Sequence, residues 1–465
     1  MQARSSDPSS SVNGAGRHPA VPSLSALRAL IADGPMTACQ IGAVLVCVGL
    51  NMLDGFDVLV MSFTASGVSA DWHLSGSRLG VLLSAGLVGM AAGSLLIAPQ
   101  ADRVGRRRVM LLCVTVVSIG MLLSGFTTSF IQLAALRVVT GLGIGGILAG
   151  ATVLVAEYSS DRWRNTASCL YTAGYSLGAT AGGAVAAVLI ARYGWASAFR
   201  FGGLASLAML PAVYWGLPES LDFLVTKQPP QALERLNRLL GRMGRVPVNG
   251  LPAADLQGHA RTATVRRLWA PEFARSTGSI WVAFFFMMAG YYFIYGWTPR
   301  LLTAAGMSAQ QGITSGVLLS LGGIVGTVTF AWLARGRNMQ ILTRNCLIAG
   351  SALVALFAFT TTHLVLALTV GVLLGGMANS AMAGLYALTP GLYPPHLRTT
   401  GMGWAIGSGR SGAILAPLVT GLLVDQGWKP PQLYLAFAGT LLVAMAALGA
   451  IASARPVTVL TREAV

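Results

Sequence analysis

The chain has 465 residues, 54% hydrophobic and only 10% charged, with a mean hydropathy of +0.67 and a formal net charge of +16. A soluble domain carries about 25% charged residues, so a soluble globular protein is excluded and a polytopic membrane protein is indicated. The positive charge does not form a nucleic-acid surface: 24 of the 31 Lys and Arg fall in tails and loops on one side of the hydrophobic stretches, five fall on the other side and two lie inside. Positive residues favour the cytoplasmic face, so both termini are expected there.

In chain order, residues 1–35 read as a cytoplasmic tail. Its first 22 residues are rich in Ser, Pro and Gly, a composition that does not bury a core, and no apolar region with a cleavage site marks a signal peptide. Residues 23–32 have the pattern of a short amphipathic helix at the inner interface. Uncharged windows of bilayer-spanning length, about 20 residues, then recur to the end of the chain. They predict an all-α membrane protein with twelve transmembrane helices, near 38–62, 78–100, 108–127, 131–157, 165–191, 197–217, 277–301, 311–334, 342–362, 364–390, 398–424 and 431–454. The expected division is a six-helix bundle over 36–218, a cytoplasmic central loop over 219–275, a second six-helix bundle over 276–454 and a cytoplasmic tail over 455–465.

Four charges sit well inside these helices: Asp54 and Asp57 in the first, Arg137 in the fourth and Arg410 in the eleventh. A charge at the centre of a membrane helix costs roughly 2.5–3.5 kcal/mol on insertion scales, so chains keep one there for ion or substrate chemistry. Asp54 and Asp57 are three apart and share a helix face, an arrangement suited to carrying a proton. Counting the rise per residue puts Asp54 roughly 24 Å from the inner end and Arg137 roughly 9 Å from the outer end. A salt bridge between them is then possible, and protonation of the acid would release Arg137. The competing readings are an acid that caps an unwound turn at Gly55, or a permanent pair with Arg137. Arg410 lies roughly 18 Å up, near the midplane, with no acid of the second half at its depth. Its planar guanidinium matches a carboxylate bidentately. Together these residues point to a transporter of a proton and an anion.

The loop after the second helix reads Ala98-Pro99-Gln100-Ala101-Asp102-Arg103-Val104-Gly105-Arg106-Arg107-Arg108. It resembles the loop signature of the major facilitator superfamily, with Ala98 in place of the usual first Gly. The resemblance implies two pseudo-symmetric six-helix halves, and a cytoplasmic latch in which Asp102 meets a helix N-terminus or an Arg and holds the halves together when the inside is closed. Arg103, Gly105, Arg106, Glu157, Arg164 and Arg398 complete that latch. Leu53-Asp54-Gly55-Phe56-Asp57 is similar to the Asp-Gly-X-Asp signature of the aromatic acid:H+ symporter family within the superfamily. The stretches around Arg137 to Gly146, Ala156-Glu157-Tyr158, Tyr393-Pro394, Gly403-Trp404 and Gly409-Arg410 agree with it in the same order. That family implies import of a hydroxybenzoate- or benzoate-class anion with protons across a bacterial inner membrane, with no cofactor and as a monomer.

The segment 157–167 after the fourth helix repeats at 392–401 after the tenth, with Arg164 opposite Arg398 at an offset of 234 residues. That offset sets Gly178 against Gly412, Ser176 against Arg410, Asp54 against Met288 and Asp57 against Tyr291. Parallel repeats of this kind place a transport site between the halves near the midplane. Candidate ring contacts for the substrate are Tyr291 and Tyr292 on the seventh helix, Tyr386 on the tenth and Trp404 on the eleventh.

The five cysteines show no paired spacing and suggest neither a disulfide frame nor a metal site. The glycines from Gly141 to Gly146 follow no strand, so a dinucleotide loop is not indicated; in membrane helices such residues allow close backbone approach. His73 and His363 fall at outer ends and receive no role. The alternatives to an aromatic-acid symporter are a symporter of another organic acid, an efflux antiporter and a chemoreceptor. The fifth helix lacks the Gly-Pro step of drug exporters, and an enzyme is least expected because no nucleophile and base are paired at one depth.

Overall fold

The computed structural model describes residues 27, 28, 31, 34–252, 265–394 and 397–451. The expected tail 455–465 lies outside them. Among the described residues, twelve helices are long and apolar enough to cross a membrane. They are α1 (Ala38–Trp72), α2 (Gly76–Leu96), α3 (Arg106–Ser124), α4 (Phe130–Tyr158), α5 (Arg164–Tyr193), α6 (Ala196–Gly216), α7 (Pro271–Ala304), α8 (Ala309–Leu333), α9 (Met339–Thr360), α10 (Leu364–Leu388), α11 (Arg398–Asp425) and α12 (Pro430–Ile451).

Local chemistry sets the starts. Thr37 with Gln40 and Ser308 with Gln311 form capping boxes at α1 and α8, while Ser75, Ser129 and Asn338 cap α2, α4 and α9. Pro271 begins α7, where its missing N–H costs nothing, so this helix starts inside the stretch expected to be loop. The first helix runs well past its expected end at 62, because Phe63, Thr64, Ala65, Val68 and Ser69 are buried against neighbours and remain helical. Gly105 turns the chain from the short helix Ala98–Val104 into α3 at φ +110, a conformation that L side chains rarely adopt.

Within each half, glycines bring helix backbones into contact. A Cβ on Gly55 of α1 would stand 1.9 Å from the Tyr175 carbonyl oxygen of α5, and one on Gly178 of α5 would stand 1.9 Å from the Met52 carbonyl oxygen of α1. The α7–α11 pair repeats this crossing, with Gly412 against the Phe285 carbonyl oxygen. These contacts correct the register of the repeat. Gly178 and Gly412 differ by 234 positions but their partners Met52 and Phe285 by 233, as do Val48 and Trp281, which meet Gly174 and Ser408. Asp54 therefore corresponds to Met287 rather than Met288, and Asp57 to Gly290 rather than Tyr291. The buried Met287 and the packed Gly290 show that the second half carries no acid at either place.

The halves meet at the end of the bundle that holds the C-terminus of α1. Asp425 at the end of α11 accepts hydrogen bonds from the backbone N–H of Gly76 (2.6 Å) and Ser77 (2.9 Å) at the start of α2. Close by, Gly76 packs on Gly421, and the Ser84 hydroxyl donates to the Ile414 carbonyl at 2.7 Å. Ser62 of α1 donates to the carbonyls of Tyr295 and Gly296 of α7, both at 2.8 Å. Beyond Ser84, α2 turns its glycines Gly89 and Gly93 to α4 of its own half.

At the opposite end, Leu27 and Ile31 are buried in the main core, and Arg28 grips Asp222 with Nε (3.1 Å) and Nη2 (2.7 Å). The segment expected to lie on the lipid interface thus packs on the protein at its described residues.

Candidate functional site

Asp54 and Asp57 lie on a continuous helix, so neither caps an unwound turn; Gly55 between them serves the α1–α5 crossing. The two acids have different surroundings. Asp57 is closed on Arg137: Nη1 donates to Oδ1 at 3.0 Å, Nη2 to Oδ2 at 2.5 Å and to the Asp57 carbonyl oxygen at 3.2 Å. Arg137 also reaches the Met121 sulfur at 3.2 Å and lies 5.8 Å over the Phe199 ring, and Gly86 of α2 leaves the space it fills. The expected partner of Arg137 was Asp54; the acid one turn further along α1 takes that place.

Asp54 is 4% exposed, and its Oδ1 has no hydrogen-bond partner. It borders a small apolar cavity inside the first half, beside Leu53, Val117, Ile147 and Ser206. It is also within electrostatic reach of Tyr171 and Tyr175 of α5, Tyr292 of α7 and Arg410 of α11. Arg410 is half-buried and makes no hydrogen bond or ion pair among the described residues. Its electrostatic neighbours are Asp54, Tyr292 and Tyr386.

The candidate aromatic residues separate into two groups. Tyr292 and Tyr386 share the surroundings of Arg410, with Tyr386 set edge-on to Phe284 at 5.5 Å. Tyr291 instead stacks on Tyr295 at 4.5 Å, and its hydroxyl donates to Asn379 Oδ1 at 3.4 Å. Asn379 Nδ2 donates in turn to Tyr295 Oη at 2.7 Å, and Tyr295 to the Leu319 carbonyl at 3.1 Å. Tyr291 is thereby tied into the core of the second half. Trp404, 47% exposed, stacks on Trp281 at 5.6 Å. It precedes Arg410 by six residues, roughly 9 Å along α11 and on another face, so it stands apart from the group.

Tyr175, Tyr171 and Asn379 were missed by sequence reasoning. Tyr175 lies in the fifth-helix stretch that was used only for its lack of a Gly-Pro step and for setting Gly178 against Gly412. An offset of three from Gly178, on the face that meets α1, was the available cue. The central group is thus Asp54, Tyr171 and Tyr175 of one half with Tyr292, Tyr386 and Arg410 of the other, joined through the electrostatic interactions of Asp54 and Tyr175 with Tyr292 and of Asp54 with Arg410. It offers one cation for an anion, one acid with an unused oxygen, and four phenol groups.

The expected latch residues bond within the first half or locally. Arg106 pairs with Glu157 and with Asp102 (3.1 Å) and donates to the Ser220 hydroxyl (3.1 Å). Arg164 pairs with Asp161 at 2.8 Å, and Arg398 Nε donates to the Tyr393 carbonyl at 3.1 Å. Arg103 is exposed. Glu219 and Ser220, not anticipated, complete the cluster: Glu219 Oε1 accepts from the Arg107 N–H at 3.1 Å, and Ser220 meets Glu157. These residues do not bridge the halves here, in keeping with halves joined at the other end.

Residues 44–382 match the family model described as Major Facilitator Superfamily. The chain is 34% identical over 408 residues to the gallate transporter of Pseudomonas putida, covering 87% of this chain and 90% of that protein. It is 32% identical over 425 residues to the 4-hydroxybenzoate transporter PcaK of Pseudomonas aeruginosa, covering 89% and 93%. The benzoate transport protein of Acinetobacter baylyi is 26% identical over 402 residues, covering 85% and 86%. Among solved structures, the inward-open xylose transporter XylE from E. coli superposes with a TM-score of 0.70 at 16% identity, covering 88% of this chain and 95% of that one. That likeness concerns the fold.

Proposed function

We propose, from the premise that this chain belongs to the Major Facilitator Superfamily and is a multi-pass membrane transporter rather than an enzyme, that it carries an anionic aromatic acid of the hydroxybenzoate or benzoate class together with a proton. The named substrates of its relatives support the class. The observation that carries the reading is Arg410 without an ion pair among the described residues, within electrostatic reach of Asp54, whose Oδ1 has no partner.

The chemistry follows from charge. Ionised Asp54 attracts Arg410 and competes with the substrate carboxylate for it. A proton on Asp54 removes that competition, so the carboxylate takes the guanidinium and its ring lies among Tyr175, Tyr292 and Tyr386. One proton and one anion then enter together with no net charge added. Asp57 and Arg137 keep each other neutral throughout and hold α1 to α4. Rocking of the halves about this centre gives alternating access, with the Asp425 contact closing one side and the Asp102–Arg106–Glu157 cluster regrouping on the other. The protein works as a monomer in a bacterial inner membrane, with both termini cytoplasmic.

The test is substrate binding to purified protein with Arg410→Lys. Lysine keeps the charge and loses the bidentate fork. Affinity for 4-hydroxybenzoate falls by about tenfold or more on this reading, the scale of a hydrogen bond to a charged group; unchanged affinity removes Arg410 from the site.

A further inference from the structure

A second cavity, of about 490 Å³, lies at the end of the first half where α1 begins, far from the central group. Its walls are the start of α3, the end of α6 and the short helix Ala232–Arg242 of the central segment. That helix buries Leu236, Leu239 and Leu240 and turns Arg235, Arg238 and Arg242 to the cavity, where Arg107 and Arg108 of α3 meet them.

Five arginines therefore line one concavity, and little neutralises them. Glu219 is the one acid in the lining, and its Oε1 is taken by the backbone N–H groups of Arg107 and Ser220, both at 3.1 Å. Glu234 pairs with Arg238 at 2.9 Å. Arg108, Arg235 and Arg242 have no ion pair among the described residues. Arg107 gives Nη2 to the Tyr214 carbonyl and lies 5.1 Å over the Tyr214 ring, while its buried Nε has no partner. A merely positive-inside loop spreads its charges through water; here a folded helix gathers them over a cavity.

The position selects the anion. Tyr214 and Trp215, 55% and 73% exposed, end the span α6 at the rim, the level at which Tyr and Trp mark the headgroup layer. Leu112, 63% exposed, continues the apolar surface along α3. Arginine forks match phosphate oxygens, and basic pockets at this face of membrane proteins hold acidic lipid headgroups. We infer that this cavity binds the phosphodiester headgroup of an anionic phospholipid, with the acyl chains lying along Trp215 and α3.

The experiment is native mass spectrometry of the full chain in detergent, titrated with phosphatidylglycerol, phosphatidylcholine or inorganic phosphate. Wild type retains phosphatidylglycerol in preference to phosphatidylcholine and to inorganic phosphate. Arg235→Gln with Arg242→Gln weakens phosphatidylglycerol binding by about fivefold per arginine removed, with the thermal melt unchanged. Arg108→Gln alone gives a single such step and serves if the double variant misfolds. Arg335→Gln with Arg337→Gln, the same charge change in the other half, leaves binding intact. The inference is overturned if wild type does not discriminate the two lipids, if inorganic phosphate binds as tightly as phosphatidylglycerol, or if the cavity variants bind like the Arg335 and Arg337 control.

Discussion

Arg137 holds both carboxylate oxygens of Asp57, at 3.0 and 2.5 Å, and that residue's own carbonyl oxygen at 3.2 Å, in surroundings that leave the pair 2% and 4% exposed. Three residues back on the same helix, Asp54 keeps an oxygen with no partner. The signature on α1 thus combines a structural acid with a free one, and substitutions should separate them.

Breaking the buried pair costs stability. Arg137→Met leaves an unpaired carboxylate in the bundle, a loss of roughly 3–5 kcal/mol. Arg137→Met combined with Asp57→Leu removes both charges and should recover most of it. Thermal unfolding of the purified proteins measures the difference; equal destabilisation by the single and double variants contradicts a pair closed on itself.

The α1–α5 crossing is tight enough to reject any side chain. Gly55→Val places atoms onto the Tyr175 carbonyl, which lies 1.9 Å from the position of a Cβ. Overpacking of this kind costs about 1–3 kcal/mol. The expected result is reduced yield and a lower melting temperature, whereas Gly403→Ala, at a glycine with open space around it, should leave both unchanged.

The Asp425 carboxylate joins the halves by accepting hydrogen bonds from two backbone N–H groups at the start of α2. At an exposed helix N-terminus such a contact contributes about 0.3–1 kcal/mol. Asp425→Asn should therefore raise the population open at that end by about twofold to fivefold. A cysteine in place of Ser66 reports this as faster labelling by a membrane-impermeant reagent; an unchanged rate removes Asp425 from the closure.

Hydropathy alone located all twelve helices, because a continuous apolar run of this length has no other stable form in lipid. Helix ends were less legible. The first helix extends to Trp72 through residues whose neighbours, not their polarity, keep them helical, and the seventh begins at Pro271 within a stretch that reads as loop. Among the site residues, the four charges inside helices stood out by cost, and Arg137 meets Asp57 where a bridge to Asp54 had been considered. The choice between Asp54 and Asp57 depends on a single turn of helix, which depth counting does not resolve. Asn379 and Asp425 gave no signal of their own because their partners lie on helices distant in sequence.

The central claim is that Asp54, and not the locked Asp57, carries the proton that admits the anion. It is tested by uptake of labelled 4-hydroxybenzoate into proteoliposomes under an inward proton gradient, with empty liposomes as the control for leak of the protonated acid. Asp54→Asn mimics the protonated state, so it should abolish gradient-driven accumulation while still exchanging labelled for unlabelled substrate at equal pH. Gradient-driven accumulation by Asp54→Asn at the wild-type level would contradict the account.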